Sequence, residues 1–152
     1  RITHVIYTTW PRPLLVVLSV PCEAVVKSVA PALRAMVAKK LLDKYSLKQK
    51  ETAKLLGITQ AAISKYVRRV RGKALNLESI PEIRSLVEKV ADRLVDGKIS
   101  RPQLVMALCE ACTLVRNKGL ICSLCRRKDH ALRNCSICRT ESLKCGTKGT
   151  FD

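Results

Sequence analysis

The sequence predicts an all-helical protein, and three observations point there. Hydrophobic residues make up 47% of the chain but aromatics only 3%, so the core must be aliphatic. An aliphatic core favours packed helices over an aromatic-rich β-sandwich. Between residues 22 and 118, apolar residues recur at the three- and four-residue spacing of one helix face. Starts and stops are also written into the chain. Ser46, Ser79 and Ser100 each open an S-x-x-E/Q pattern, in which serine caps an orphan amide and the residue three on returns a bond. Gly57, Gly97 and Gly119 mark the corresponding ends.

The elements follow in order. Residues 1–20 differ in composition from the rest and are expected to be an N-terminal extension. Their apolar run, 14–20, is seven residues long, against roughly 20 for a membrane-spanning helix. No small-x-small cleavage site follows it cleanly, so the expected setting is cytoplasmic, away from membranes. From 22 to 45, apolar positions fall at Val25, Val26, Val29, Leu33, Met36, Val37, Leu41 and Leu42, with Pro31 interrupting. This predicts a short helix and then a longer one starting near Pro31. Helices are predicted over 47–56 and 60–69. Segment 78–97 is amphipathic and nearly neutral, with the stripe Ile83, Leu86, Val87, Val90, Leu94 and Val95. That stripe either covers the core or forms a homodimer interface. A further helix runs from Ser100 towards Gly119.

Charge narrows the partners. The chain carries 29 Lys+Arg against 12 Asp+Glu, a formal +17, which points to a polyanion. Residues 1–76 are net +12, residues 77–100 net −1, and residues 101–152 net +6. A neutral segment thus separates two basic ones. The organisation expected is an extension over 1–20, a helix-turn-helix domain over 21–76, a helical connector or dimerisation region over 77–108, and a Cys-rich region over 109–152.

The sharpest motif lies in 46–70, SLKQKETAKLLGITQAAISKYVRRV. Ala53 and Leu56 face inward on a first helix, and Gly57, Ile58 and Thr59 make the turn. Gly57 supplies left-handed backbone, and Thr59 is an N-cap for the next helix. Small Ala53 lets the two helices approach at a steep crossing, with Ile63 filling the angle. This is the helix-turn-helix arrangement. The basic run Arg68, Arg69, Arg71 and Lys73 follows with no acid. Such cations grip phosphates and release counterions, giving affinity without sequence information.

The pattern Gln49, Ala53, Gly57, Ile58, Thr59, Ile63 and Ser64 resembles the phage-repressor (Xre-like) helix-turn-helix family. The resemblance implies a lambda-repressor-like bundle binding double-stranded DNA, with the second helix in the major groove. It places Gln60, Ala61 and Lys65 at base edges. Gln60 suits adenine, the Ala61 methyl suits thymine, and Lys65 suits guanine. It makes Gln49 a phosphate anchor, with Ser64 a second phosphate contact. Residues 21–125 as a whole are similar to archaeal transcriptional regulators with a C-terminal cysteine cluster. Residues 1–19 and those after Cys125 depart from that pattern.

Seven of the eight cysteines lie in the last 44 residues, and six form C-x-x-C pairs opening at Cys109, Cys122 and Cys135, 13 residues apart. Tight repeated pairs are more typical of metal sites than of disulfide scaffolds. Cys109 and Cys112 share a helix face, and Cys122 and Cys125 would complete four thiolates. Cys135, Cys138, Cys145 and His130 would make a second site. Four thiolates suit zinc; an iron–sulfur cluster is the alternative. Cys22 is read as a small buried apolar residue, or else a distant fourth ligand.

The expected function is transcription regulation by sequence-specific DNA binding, with two copies placing recognition helices one DNA turn apart. The alternative is a basic RNA-binding or translation-associated protein with a zinc ribbon. An enzyme is disfavoured: there is no phosphate-binding glycine loop, only two histidines (His4 and His130), and four-thiolate sites are closed to substrate.

Overall fold

The computed structural model describes residues 21–139, which are mostly helical, with no strand among them. The expected extension over 1–20 lies outside the described residues, as does 140–152 with Cys145. The order is α1 (Pro21–Tyr45), α2 (Gln49–Leu56), α3 (Gln60–Val67), α4 (Pro81–Val95), α5 (Arg101–Asn117) and α6 (Cys122–Lys128). Two short 3-10 helices follow, His130–Asn134 and Ile137–Arg139.

The first helix corrects the sequence reading. α1 is one helix of 25 residues with Pro31 inside it, not two helices. A mid-helix proline removes a backbone bond and crowds the carbonyl four residues back, at about 3 kcal/mol. Val29, Ala30, Ala32 and Leu33 flank it and are all buried. Burying a Val or Leu side chain contributes about 1.5–3 kcal/mol, so packing on both sides of Pro31 offsets its cost.

α1 is covered on two faces. Val25, Val29, Ala32, Leu33, Val37 and Leu41 join the main core with Ile83, Val87, Val90, Ala91 and Leu94 of α4 and Ala107, Ala111 and Val115 of α5. On another face Ala38 joins a smaller cluster with Ala53 of α2 and Ile63 and Tyr66 of α3. Burial on two faces spreads apolar residues around α1 instead of confining them to one stripe.

The α4 stripe therefore covers the core. Ile83, Leu86, Val87, Val90 and Leu94 are buried inside the chain, and only Val95, 40% exposed, is left outside. Ion pairs border this contact: Lys40 with Glu88, Lys44 with Asp92 at 2.9 Å, and Lys39 with Glu78 at 3.5 Å. Tyr45 donates its hydroxyl proton to Asp92. That bond, with the Lys44 ammonium, holds the Asp92 carboxyl below the usual carboxylate range. Lys40 does the same to Glu88.

Only one of the three predicted serine caps forms as drawn. Ser100 Oγ accepts from Gln103 N, and Gln103 Oε1 accepts from Ser100 N at 2.7 Å. Ser46 instead takes left-handed backbone, φ 52°, at the close of α1. α2 then starts at Gln49, with Glu51 accepting from Lys48 N at 2.8 Å. Ser79 donates to Asn76 O, and α4 starts one residue later than drawn. There Ile80 is anchored in the core and Pro81 presets the first turn. In both cases a neighbouring anchor fixes the helix start before serine can.

No helix among the described residues is long and apolar enough to cross a membrane. Ile83 is fully buried where α4 meets α1. Ile83→Ala should lower the unfolding free energy by about 2–5 kcal/mol, read by urea denaturation. A loss under 1 kcal/mol would contradict this packing.

Candidate nucleic-acid interface

The interface is built from α2, α3 and the segment after α3, all set by the smaller core cluster. Ala53 is nearly fully buried where α2 meets α3, and Ile63 is 0% exposed. Tyr66 closes the cluster one turn after Ile63. These three residues fix which face of α3 turns inward.

The connection is tight. Gly57 has φ 63°, and its N–H donates to Lys54 O at 3.2 Å. Ile58 N–H donates to Ala53 O at 3.0 Å. A β-carbon in this left-handed conformation is strained, so glycine suits the position. Thr59 then caps α3, its Oγ1 accepting from Ala62 N at 3.2 Å. Thr59 thus takes the role the sequence assigned it.

With Ile63 and Tyr66 inside, the leading end of α3 faces out. Gln60, Ala61 and Lys65 are all exposed, as is Thr59. Gln49 and Ser64 are half-buried at the edge. α3 is shorter than predicted, ending at Val67 instead of Arg69. Arg69 has φ 54°, and the Lys65 carbonyl accepts from both Val70 N and Arg71 N. Arg68, Arg69, Arg71 and Lys73 therefore lie on a turn, not on the helix. All four are exposed, and none has a carboxylate partner among the described residues.

Two features of this surface escaped the sequence reading. Gly72 lies against α1: a β-carbon there would sit 2.8 Å from the Pro31 carbonyl oxygen and 2.8 Å from Ala35 Cβ. With φ 79°, it clamps the basic turn to α1. The signal was a glycine inside a run of cations, which the left-handed backbone and the approach of α1 together explain. Arg101, at the start of α5, brings its guanidinium over the α2–α3 turn, 3.5 Å from where a Gly57 β-carbon would lie. It adds a cation beside the interface that sequence distance had hidden.

The cysteines form a different region. Cys109 and Cys112 lie on α5, Cys122 and Cys125 on α6, and Cys138 on the last 3-10 helix, where it is buried against the main core. Burial pushes the Cys125 thiol up, and the neighbouring Cys122 and Cys135 push it further. Burial also raises Cys138, while the buried Arg116 guanidinium pulls the other way. Cys122, Cys125 and Cys135 also act on the Cys138 thiol, all in the direction that favours its neutral form. Cys109, Cys122, Cys125, Cys135 and Cys138 are free thiols. Among the described residues no three Cys, His, Asp or Glu side chains gather where an ion could be held. The second expected set includes Cys145, which lies outside the described residues.

No protein-family model, curated protein or solved structure matches this chain.

Gly72→Ala should destabilise the protein by 1 kcal/mol or more, from left-handed strain and the clash with α1. Urea denaturation measures it, and an unchanged midpoint would contradict the close approach. The thiols predict a pH dependence. The folded-state values of Cys125 and Cys138 lie above the unfolded value, so the unfolded state loses these protons first. Their contribution to stability is complete below the ordinary thiol value of 9.0 and declines as pH rises past it. Alkylation by iodoacetamide should be slower at these two thiols in the folded than in the urea-unfolded chain at neutral pH, as peptide mass spectrometry would show. Equal rates would remove the argument.

Proposed function

We propose that this chain is a sequence-specific DNA-binding protein of the regulatory kind, reading the major groove with the leading end of α3. The observation that carries the reading is the division of α3 into two faces. Ile63 and Tyr66 are buried against α1 and α2, while Gln60, Ala61 and Lys65 are exposed together on a helix whose entry is capped by Thr59. An α-helix fits the major groove, where every base pair shows a distinct donor and acceptor pattern. Gln60 presents one donor and one acceptor for the adenine edge, and Lys65 a cation for guanine. Gln49 and Ser64, at the margin, stand where phosphate contacts would fix the register. Arg68, Arg69, Arg71 and Lys73, unpaired with acids, supply the backbone grip.

Asp43 and Glu78 line one cavity with Arg69, Arg71 and Lys73 without forming an ion pair with them. Glu78, Glu88 and Asp92 pair with lysines of α1, so the net positive charge is left around α3. On this reading the protein acts by occupying a duplex site. A second copy would contact the chain through some face other than the buried α4 stripe.

Selection of duplexes from a random pool by the full chain should enrich one sequence. Gln60→Ala should lose discrimination at one base pair by about 1–3 kcal/mol while keeping affinity for unrelated duplex. No enrichment, or equal enrichment by the variant, overturns direct readout by α3. Tighter binding to double-stranded RNA than to duplex DNA at matched salt overturns the choice of DNA.

A further inference from the structure

A second cationic feature lies outside the surface just described. Arg126 and Arg127, near the end of α6, face His130 and Arg133 of the following 3-10 helix across one open cavity of about 340 Å³. No other described residue lines it. All four are exposed, and the three arginines have no carboxylate partner among the described residues. The segment 122–139 holds five Lys and Arg residues against a single acid, Asp129.

Three guanidinium groups around one cavity repel one another unless an anion joins them. Cations near a helix end also favour that helix's own carbonyls. Here, however, among the described residues no side-chain hydrogen bond ties Arg126, Arg127 or Arg133 to the end of α6. Their forks are therefore left for an external acceptor. Guanidinium groups match the paired oxygens of a phosphate group, and His130 adds a ring N–H. We propose that this cavity is a second polyanion-binding site that takes backbone phosphates of duplex DNA. The site is open and exposed, so a single free phosphate would be held weakly; a polymer presents successive phosphates and releases counterions at each. The inference rests on the reading that duplex DNA is the partner, and it adds a contact that carries no sequence information.

The test is the salt dependence of binding by the full chain. Two duplexes several helical turns long serve as probes, one enriched by selection and one unrelated. Replacing Arg126, Arg127 and Arg133 together by glutamine should weaken binding to both duplexes alike, roughly 10- to 100-fold near 0.15 M salt, and reduce the slope of log affinity against log salt by about 2–3. Circular dichroism and thermal melting of the variant should match the parent, since the side chains are exposed. An unchanged slope overturns the proposal, whatever happens to discrimination between the duplexes. Loss of that discrimination in Gln60→Ala bears on α3 alone, so the two readings fail separately. Stronger retention of the parent chain on phosphatidylglycerol vesicles than on either duplex, abolished in the triple variant, assigns the cavity to lipid and overturns the DNA proposal.

Discussion

Burial of α1 on two faces is the constraint from which the rest of the structure follows. One face carries Val29, Leu33, Val37 and Leu41 into the contact with α4 and α5, and another sets Ala38 against Ala53 and Ile63. A helix held on two sides cannot rotate to relieve one contact without losing the other. The orientation of α3 is therefore inherited from the main core, although α3 has only eight residues. A helix that short is not stable alone in water; tertiary contacts hold it and fix which of its residues meet the outside. The same double burial carries Pro31 inside a continuous helix and gives Gly72 its backing.

Charge is sorted by the same packing. Glu78, Glu88 and Asp92 belong to the neutral segment, and they lie on the lysines of α1. Such exposed pairs contribute little to stability and are screened by salt. Their larger effect is on distribution. Three acids are drawn to the α1–α4 contact, and among the described residues the cations of the α3 turn and of the cavity beyond α6 form no ion pair.

The cysteine region is organised by burial. Cys125 and Cys138 pack against the main core, and both thiols are pushed towards their neutral form. Cys138 also brings the end of the described chain back onto α5, and Arg139 lies over Gly119 at the close of that helix. In this conformation the region closes the core.

The sequence by itself determined the all-helical class, the capping box at Ser100, the glycine stop at Gly57 and the inward positions Ala53 and Ile63. Each of these rests on local chemistry: a side-chain bond within one turn, left-handed backbone, or the helical period. The grouping of Gln60, Ala61 and Lys65 came from the resemblance to the repressor family, not from local chemistry. Tertiary structure decided what local rules leave open. Pro31 stays helical because Val29 and Leu33 are buried around it, and Ser46 and Ser79 lose their caps to turns fixed by their neighbours. The α4 stripe is turned inward by α1, and a glycine in a basic run becomes a contact point. These outcomes depend on contacts between residues far apart in the chain, which spacing along the chain does not encode.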